Sequence, residues 1–209
     1  MKIVVGNETK HYLCGIPAPK SWQGLPKRIN SRICEQIGFP LVAKIPLFIH
    51  KTEKKAVHVA HNQDELNKIL KNFDIIARKE KMPSYQVLLQ EFVNGIELIA
   101  GLKKNSTFGH VIMLGLGGIF VEVFKDISFR VCPITHIDAK QMIEELKSKR
   151  ILEGVRGLPC TNKQALIDAL VKLSMLPKKY PLITELDINP LISNQKNVFA
   201  VDVRIILES

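Results

Sequence analysis

None of the cysteines at positions 14, 34, 132 and 160 forms a C-x-x-C pair. That spacing argues against a metal knuckle and a dithiol redox motif. The four thiols read instead as small buried groups in a reducing compartment. Long apolar runs are also missing. The longest stretch without Asp, Glu, Lys or Arg is 105–121, too short to span a membrane and interrupted by Asn105, Ser106, His110 and several glycines. The first residues run from Met1-Lys2-Ile3-Val4-Val5 straight into polar ones, so no signal peptide and a cytoplasmic location are expected. Aromatic residues make up only 6% and no arginine-rich stripe is present, which disfavours a nucleic-acid-binding module. There is no internal repeat and no low-complexity tract.

What is there is ordinary globular material: 209 residues, 46% hydrophobic and 24% charged, enough for one large domain or two small lobes. Acid is in short supply, with 20 Asp and Glu against 30 Lys and Arg, a formal charge of +10. The excess sits in the first half: 17 basic and 9 acidic residues up to position 104, against 13 and 11 beyond it. A basic front half suits an anionic ligand such as a nucleotide or phosphate.

Residues up to about 23 read as irregular, with Pro17 and Pro19 holding an extended segment. Helical spacing of Ile29, Ile33, Cys34 and Ile37 predicts a helix over 27–37, stopped by Gly38 and Pro40. Strands are predicted over 41–45 and 56–60, then a helix over 63–73. Together they make a first lobe ending at residue 84. The second lobe, 85–209, is predicted to hold strands at 85–92, 96–102, 108–114, 119–124 and 128–132. Helices follow over 138–150 and from Thr161, where Gln164 suggests a capping box. The chain closes with strands over 182–188 and 198–205. The class is α+β.

Four segments could carry chemistry. In Glu185-Leu186-Asp187-Ile188-Asn189-Pro190, alternation along a strand puts Glu185, Asp187 and Asn189 on one face. An antiparallel return would bring Asp202 close to them, and such a set of oxygens suits Mg²⁺ completed by nucleotide phosphates. The same pattern also fits a solvated face with an Asx turn before Pro190. Lys44, the single cation in an apolar strand, either snorkels from a sheet edge or points into a cleft at a phosphate. His50-Lys51-Thr52 after that strand reads as surface or as a phosphate relay, since neutral imidazole is a good nucleophile near pH 7. Gly115-Leu116-Gly117-Gly118 has strands on both sides and no helix after it, so it is a glycine-rich hairpin and no dinucleotide fingerprint. Downstream of it, Arg130 could meet phosphate or a carboxylate.

Taken together, the segments resemble a known family. Gly38-Phe39-Pro40 leading into Lys44, His50-Lys51-Thr52, Leu89-Gln90-Glu91-Phe92-Val93 with Glu97, the unbroken G-L-G-G-I-F-V-E-V-x-K-D-x-x-F-R-V-x-P run to Pro133, and the closing 185–191 and 201–204 segments are similar to the ATP-grasp beta subunits of ADP-forming acyl-CoA synthetases, the acetate–CoA ligases among them. The resemblance extends from about Gly15 to Ile205. It implies two α+β lobes of the ATP-grasp fold with ATP or ADP and Mg²⁺ between them. It also implies a CoA-binding alpha subunit as partner in a heterotetramer. Lys44 would contact phosphates, assisted by Lys51 and Thr52. Glu91 and the Val93 backbone would hold adenine, and Glu97 the sugar or phosphates. Asn189 and Asp202 would bind the metal beside Asp187, His50 would carry the phosphate, and Arg130 would assist catalysis. Where the family continues with Asp and glycines after the histidine motif, this chain has Glu53-Lys54-Lys55-Ala56. That departure favours a second reading, a degenerate ATP-grasp protein with a structural or regulatory role.

Overall fold

The computed structural model describes residues 1–46, 56–117, 126–154 and 160–208. It forms two compact units, one of Pro19–Phe92 and the other of Met1–Ala18 with Val93–Ser209. The division differs from the expected break at residue 84. The strand after the linker pairs back into the first unit, and the chain's first residues pair into the second.

The smaller unit is a four-stranded antiparallel sheet in the order β2 (Ser21–Gly24), β5 (Val87–Glu91), β3 (Leu41–Lys44), β4 (Val57–Ala60). Leu41 and Ala43 of β3 join Leu66 and Phe73 of helix α2 (Gln63–Lys79) in its core, together with Cys34 and Ile37 of helix α1 (Ser31–Ile37). α1 begins later than the periodicity predicts. Asn30 Oδ1 accepts the Ile33 N–H at 3.0 Å and caps it there, while Pro26–Arg28 forms a separate 3₁₀ turn. α2 runs past the predicted residue 73 to Lys79, burying Ala77 as well.

The larger unit is built on a sheet ordered β1 (Lys2–Val5), β11 (Val203–Leu207), β9 (Ile183–Ser193), β6 (Ile96–Asn105), β7 (Gly109–Leu116), β8 (Ile127–Val131), with β10 (Val198–Ala200) also paired to β9. The first residues are thus ordered rather than irregular, because β1 finds a partner at the far end of the sequence in β11. The predicted closing strand is split into β10 and β11. Helices α3 (His136–Glu145) and α4 (Lys163–Ser174) pack on one face, where Leu102, Ile112, Leu186 and Ile205 meet Met142 and Leu170. α3 starts at a Thr135–Asp138 capping box and ends before residue 150, since Asp126 accepts the Lys147 and Ser148 N–H groups that would continue it. α4 is capped by Asn162, which accepts from the Ala165 N–H at 3.0 Å, and not by Thr161. The predicted strand over 119–124 lies outside the described residues. No helix among the described residues is long and apolar enough to cross a membrane.

Candidate functional site

The described helices of the larger unit leave the second face of its sheet to a groove. This groove of ≈ 460 Å³ runs along it, lined among others by Gly101 and Lys103 of β6, Met113 of β7, Phe129 of β8, and Glu185 and Asp187 of β9. The register explains who is there. Asp187 stands opposite Gly101 on one side and Arg204 on the other. Strand alternation sends Leu186 and Ile188 to the core and leaves Glu185, Asp187 and Arg204 on the groove side. Glycine at 101 keeps the floor low: a Cβ there would sit 3.1 Å from the Leu186 carbonyl oxygen and 3.9 Å from Asp187 Oδ1.

Asp202 falls in the gap between β10 and β11 rather than inside a strand. Its carbonyl accepts the Asn189 N–H at 2.9 Å, which fixes the two residues against each other at the end of the β9–β11 ladder. Asp187 is half-buried, and burial pushes its carboxyl above the ordinary value. The negative charges of Glu185 and Asp202 push the same way, and Arg204 opposes them. Asp187 and Asn189, midway along β9, and Asp202 are therefore neighbours where the β9–β11 ladder ends. Among the described residues no group of three or more His, Cys, Asp or Glu side chains could hold a metal by itself. Two carboxylates and an amide oxygen under an excess of negative charge fit a hard divalent cation that takes its remaining ligands from phosphates and water.

Arg130 is elsewhere. Its row across the sheet is Ile112, Leu102, Leu186 and Ile205, all core residues, so it lies on the helix-covered face and not with Asp187. There it donates to Glu145 of α3 through Nη2 at 2.5 Å and Nη1 at 3.0 Å, and Ser128 Oγ donates to the same carboxylate at 2.7 Å. These bonds hold the Glu145 carboxyl down to about 2. Of the two partners expected for Arg130, phosphate or a carboxylate, the structure shows the carboxylate, and the bonds to Glu145 dock α3 onto β8.

In the smaller unit Lys44 is 3% exposed although its neighbours Leu41 and Ala43 alone take the core side of β3. β3 is an interior strand, flanked by β5 and β4. Lys44 therefore does not snorkel from an edge strand. Glu91 closes β5, and its Oε2 accepts the Lys20 N–H at 3.2 Å. In the larger unit Val93 is half-buried and Glu97 is exposed, with the Gly117 N–H donating to the Glu97 carbonyl at 2.8 Å. A Cβ on Gly117 would lie 3.0 Å from that carbonyl carbon, so glycine is what allows this approach. His50, Lys51 and Thr52 lie outside the described residues. The residue that sequence reasoning passed over is Arg204. It shares its strand face with the acidic set, a relation that period-two spacing from Asp202 already contains.

An ATP-grasp domain model matches residues 11–207. The beta subunit of an ADP-forming acetate–CoA ligase I from Pyrococcus furiosus is 38% identical over 201 residues, covering 93% of this chain and 87% of the relative. A solved Ca. Korarchaeum cryptofilum acetyl-coenzyme A synthetase 1, in complex with coenzyme A and Ca-AMPCP, superposes with a TM-score of 0.91 at 35% identity, over 99% of this chain and 94% of that one. A second structure of that synthetase carries coenzyme A and Mg-AMPPCP, with its phosphohistidine segment pointing towards the nucleotide-binding site. It superposes at 0.83 with 33% identity, over 99% and 93% of the two chains. The chain belongs to the ATP-grasp family, among the beta subunits of the ADP-forming acyl-CoA synthetases.

Proposed function

We propose that this chain is the nucleotide-binding beta subunit of an ADP-forming acyl-CoA synthetase, with acetate–CoA ligase chemistry. Acyl-CoA, ADP and phosphate would be converted reversibly to acid, CoA and ATP. The observation that supports the reading is the nearness of Asp187, Asn189 and Asp202 where the β9–β11 ladder ends, with Asp187 lining a groove floored by Gly101. A CoA-binding alpha subunit would do the acyl chemistry, in a heterotetramer. It would pass a phosphoryl group from an acyl phosphate through its own histidine to His50. The Nε2 or Nδ1 lone pair of His50 forms the new P–N bond as the old one breaks. ADP then attacks that phosphorus and His50 leaves as neutral imidazole.

Mg²⁺, held by Asn189 and Asp202 with Asp187 beside them, would neutralise phosphate charge during transfer. Lys44, with Lys51 and Thr52, would contact the phosphates. Glu91 and the Val93 backbone would meet adenine, and Glu97 the sugar or phosphates. The location would be cytoplasmic, in keeping with four free thiols.

Incubation with Mg²⁺ and γ-labelled ATP runs the last step backwards and tests the chemistry on this chain alone. The expected result is an acid-labile, base-stable label that disappears in His50→Asn. The sequence Glu53-Lys54-Lys55-Ala56 favours the degenerate reading. That reading expects nucleotide binding with no label on His50.

A further inference from the structure

Lys103 and Lys104 line the groove, and one further basic side chain, Arg204, stands on the same sheet face beside the acidic set. Arg204 lies directly across the β9–β11 ladder from Asp187. Its nearest acidic partner is Glu185, with Nη1 4.0 Å from Oε1, at the outer limit of an ion pair. Its Nε is buried and has no hydrogen-bond partner among the described residues. The guanidinium is thus held among carboxylates without being locked to any of them, in contrast to Arg130 with its two bonds to Glu145.

The charges explain what such a residue does. Glu185 and Asp202 act on Asp187 with one sign and Arg204 with the other. Lys103, across the ladder from Glu185 and exposed, is not among the charges that act on Asp187. Three carboxylates near one another draw divalent cations by their charge even though they do not converge on one ion. One fixed guanidinium cancels a third of that charge. Its guanidinium also carries N–H donors that incoming phosphate oxygens could accept, and a planar guanidinium suits both kinds of anion.

We infer that Arg204 is the internal counter-cation of the acidic set, a positioning residue that takes the electrostatic place of the divalent ion and so makes metal binding depend on nucleotide. The inference rests on the nucleotide-binding reading above. When phosphates enter, the guanidinium turns its donors to them, and the carboxylates become available to the ion that arrives with the nucleotide.

The test is Mn²⁺ binding, followed by paramagnetic resonance of the free ion, with and without ADP. It compares the wild-type chain, Arg204→Met, Arg204→Gln and Arg204→Lys, each checked for folding by circular dichroism. In the wild type ADP should tighten Mn²⁺ binding strongly. In the Met and Gln variants Mn²⁺ alone should bind ~10-fold or more tightly than in the wild type, because a repelling charge next to the ion is gone. The further gain from ADP should shrink in both. Lysine should restore the wild-type pattern. An arginine with a merely structural role would lower the melting temperature and leave the affinity for bare Mn²⁺ unmoved. Unchanged bare-ion affinity in Met and Gln variants, while ADP still tightens Mn²⁺ in the wild type, overturns this inference alone. No effect of ADP on Mn²⁺ in the wild type removes the nucleotide-binding reading and this inference with it.

Discussion

Asp187→Asn should make the metal-free chain more heat-stable while weakening Mg²⁺·ADP binding on the order of 100-fold, about 3 kcal/mol of lost charge attraction at the effective dielectric of a protein surface. Both effects have the same source. Burial, with the Glu185 and Asp202 charges, raises the Asp187 carboxyl in the folded state. A carboxyl whose folded value lies above its unfolded one costs stability wherever it is ionised, and that cost is relieved as pH falls through the folded value. The amide carries no charge, so the cost is absent from the variant at every pH. The gap in melting temperature between variant and wild type should therefore be widest at neutral pH and close as the solution is acidified into the range where Asp187 takes up its proton. Added Mg²⁺·ADP should stabilise the wild type and leave the variant almost unmoved. A site that stores repulsion for a cation to relieve behaves in this way. A variant with an unchanged or lower melting temperature at neutral pH would show that Asp187 is a solvated strand residue.

The second large effect lies in the smaller unit. Phe73 is fully buried, and its ring centroid is 5.8 Å from that of His58. It packs with a short list of residues, among them Leu41, Leu66 and Leu89. Replacing it with alanine should cost roughly 3–5 kcal/mol, the usual penalty for a phenylalanine cavity. A unit this small has little stability to spare. Amide exchange should then lose protection across α2, β3 and β5 while β6 and β9 keep theirs, because the larger sheet has a core of its own. Uniform loss of protection in both units would contradict their separate cores.

The acidic set of β9 was legible because alternation in a strand is local: Glu185, Asp187 and Asn189 need only their own spacing to share a face. Arg130 was not legible for the opposite reason. Which face it occupies depends on the register carried from β9 through β6 and β7 to β8, and Glu145, which holds it, belongs to a helix whose packing the local pattern does not encode. The helix starts show a similar limit. Thr161 with Gln164 has the composition of a capping box, yet Asn162 caps instead, because its backbone N–H is anchored to the Asn194 carbonyl at 2.8 Å and its side-chain amide to the Lys196 carbonyl at 3.1 Å. β1 escaped notice since the strand it pairs with lies at the other end of the chain. For Lys44 the local pattern left an edge strand open, and only the sheet order, with β3 between β5 and β4, removes it.

The account turns on Mg²⁺-dependent binding of a nucleotide by this chain, and calorimetric titration of ADP with and without Mg²⁺ addresses that most directly, beside Lys44→Ala and Asp202→Ala. The account predicts binding that requires Mg²⁺ in the wild type and is lost in both variants. Wild-type binding indifferent to Mg²⁺, or retained in Asp202→Ala, would contradict it. So would the absence of binding both alone and with the alpha subunit added.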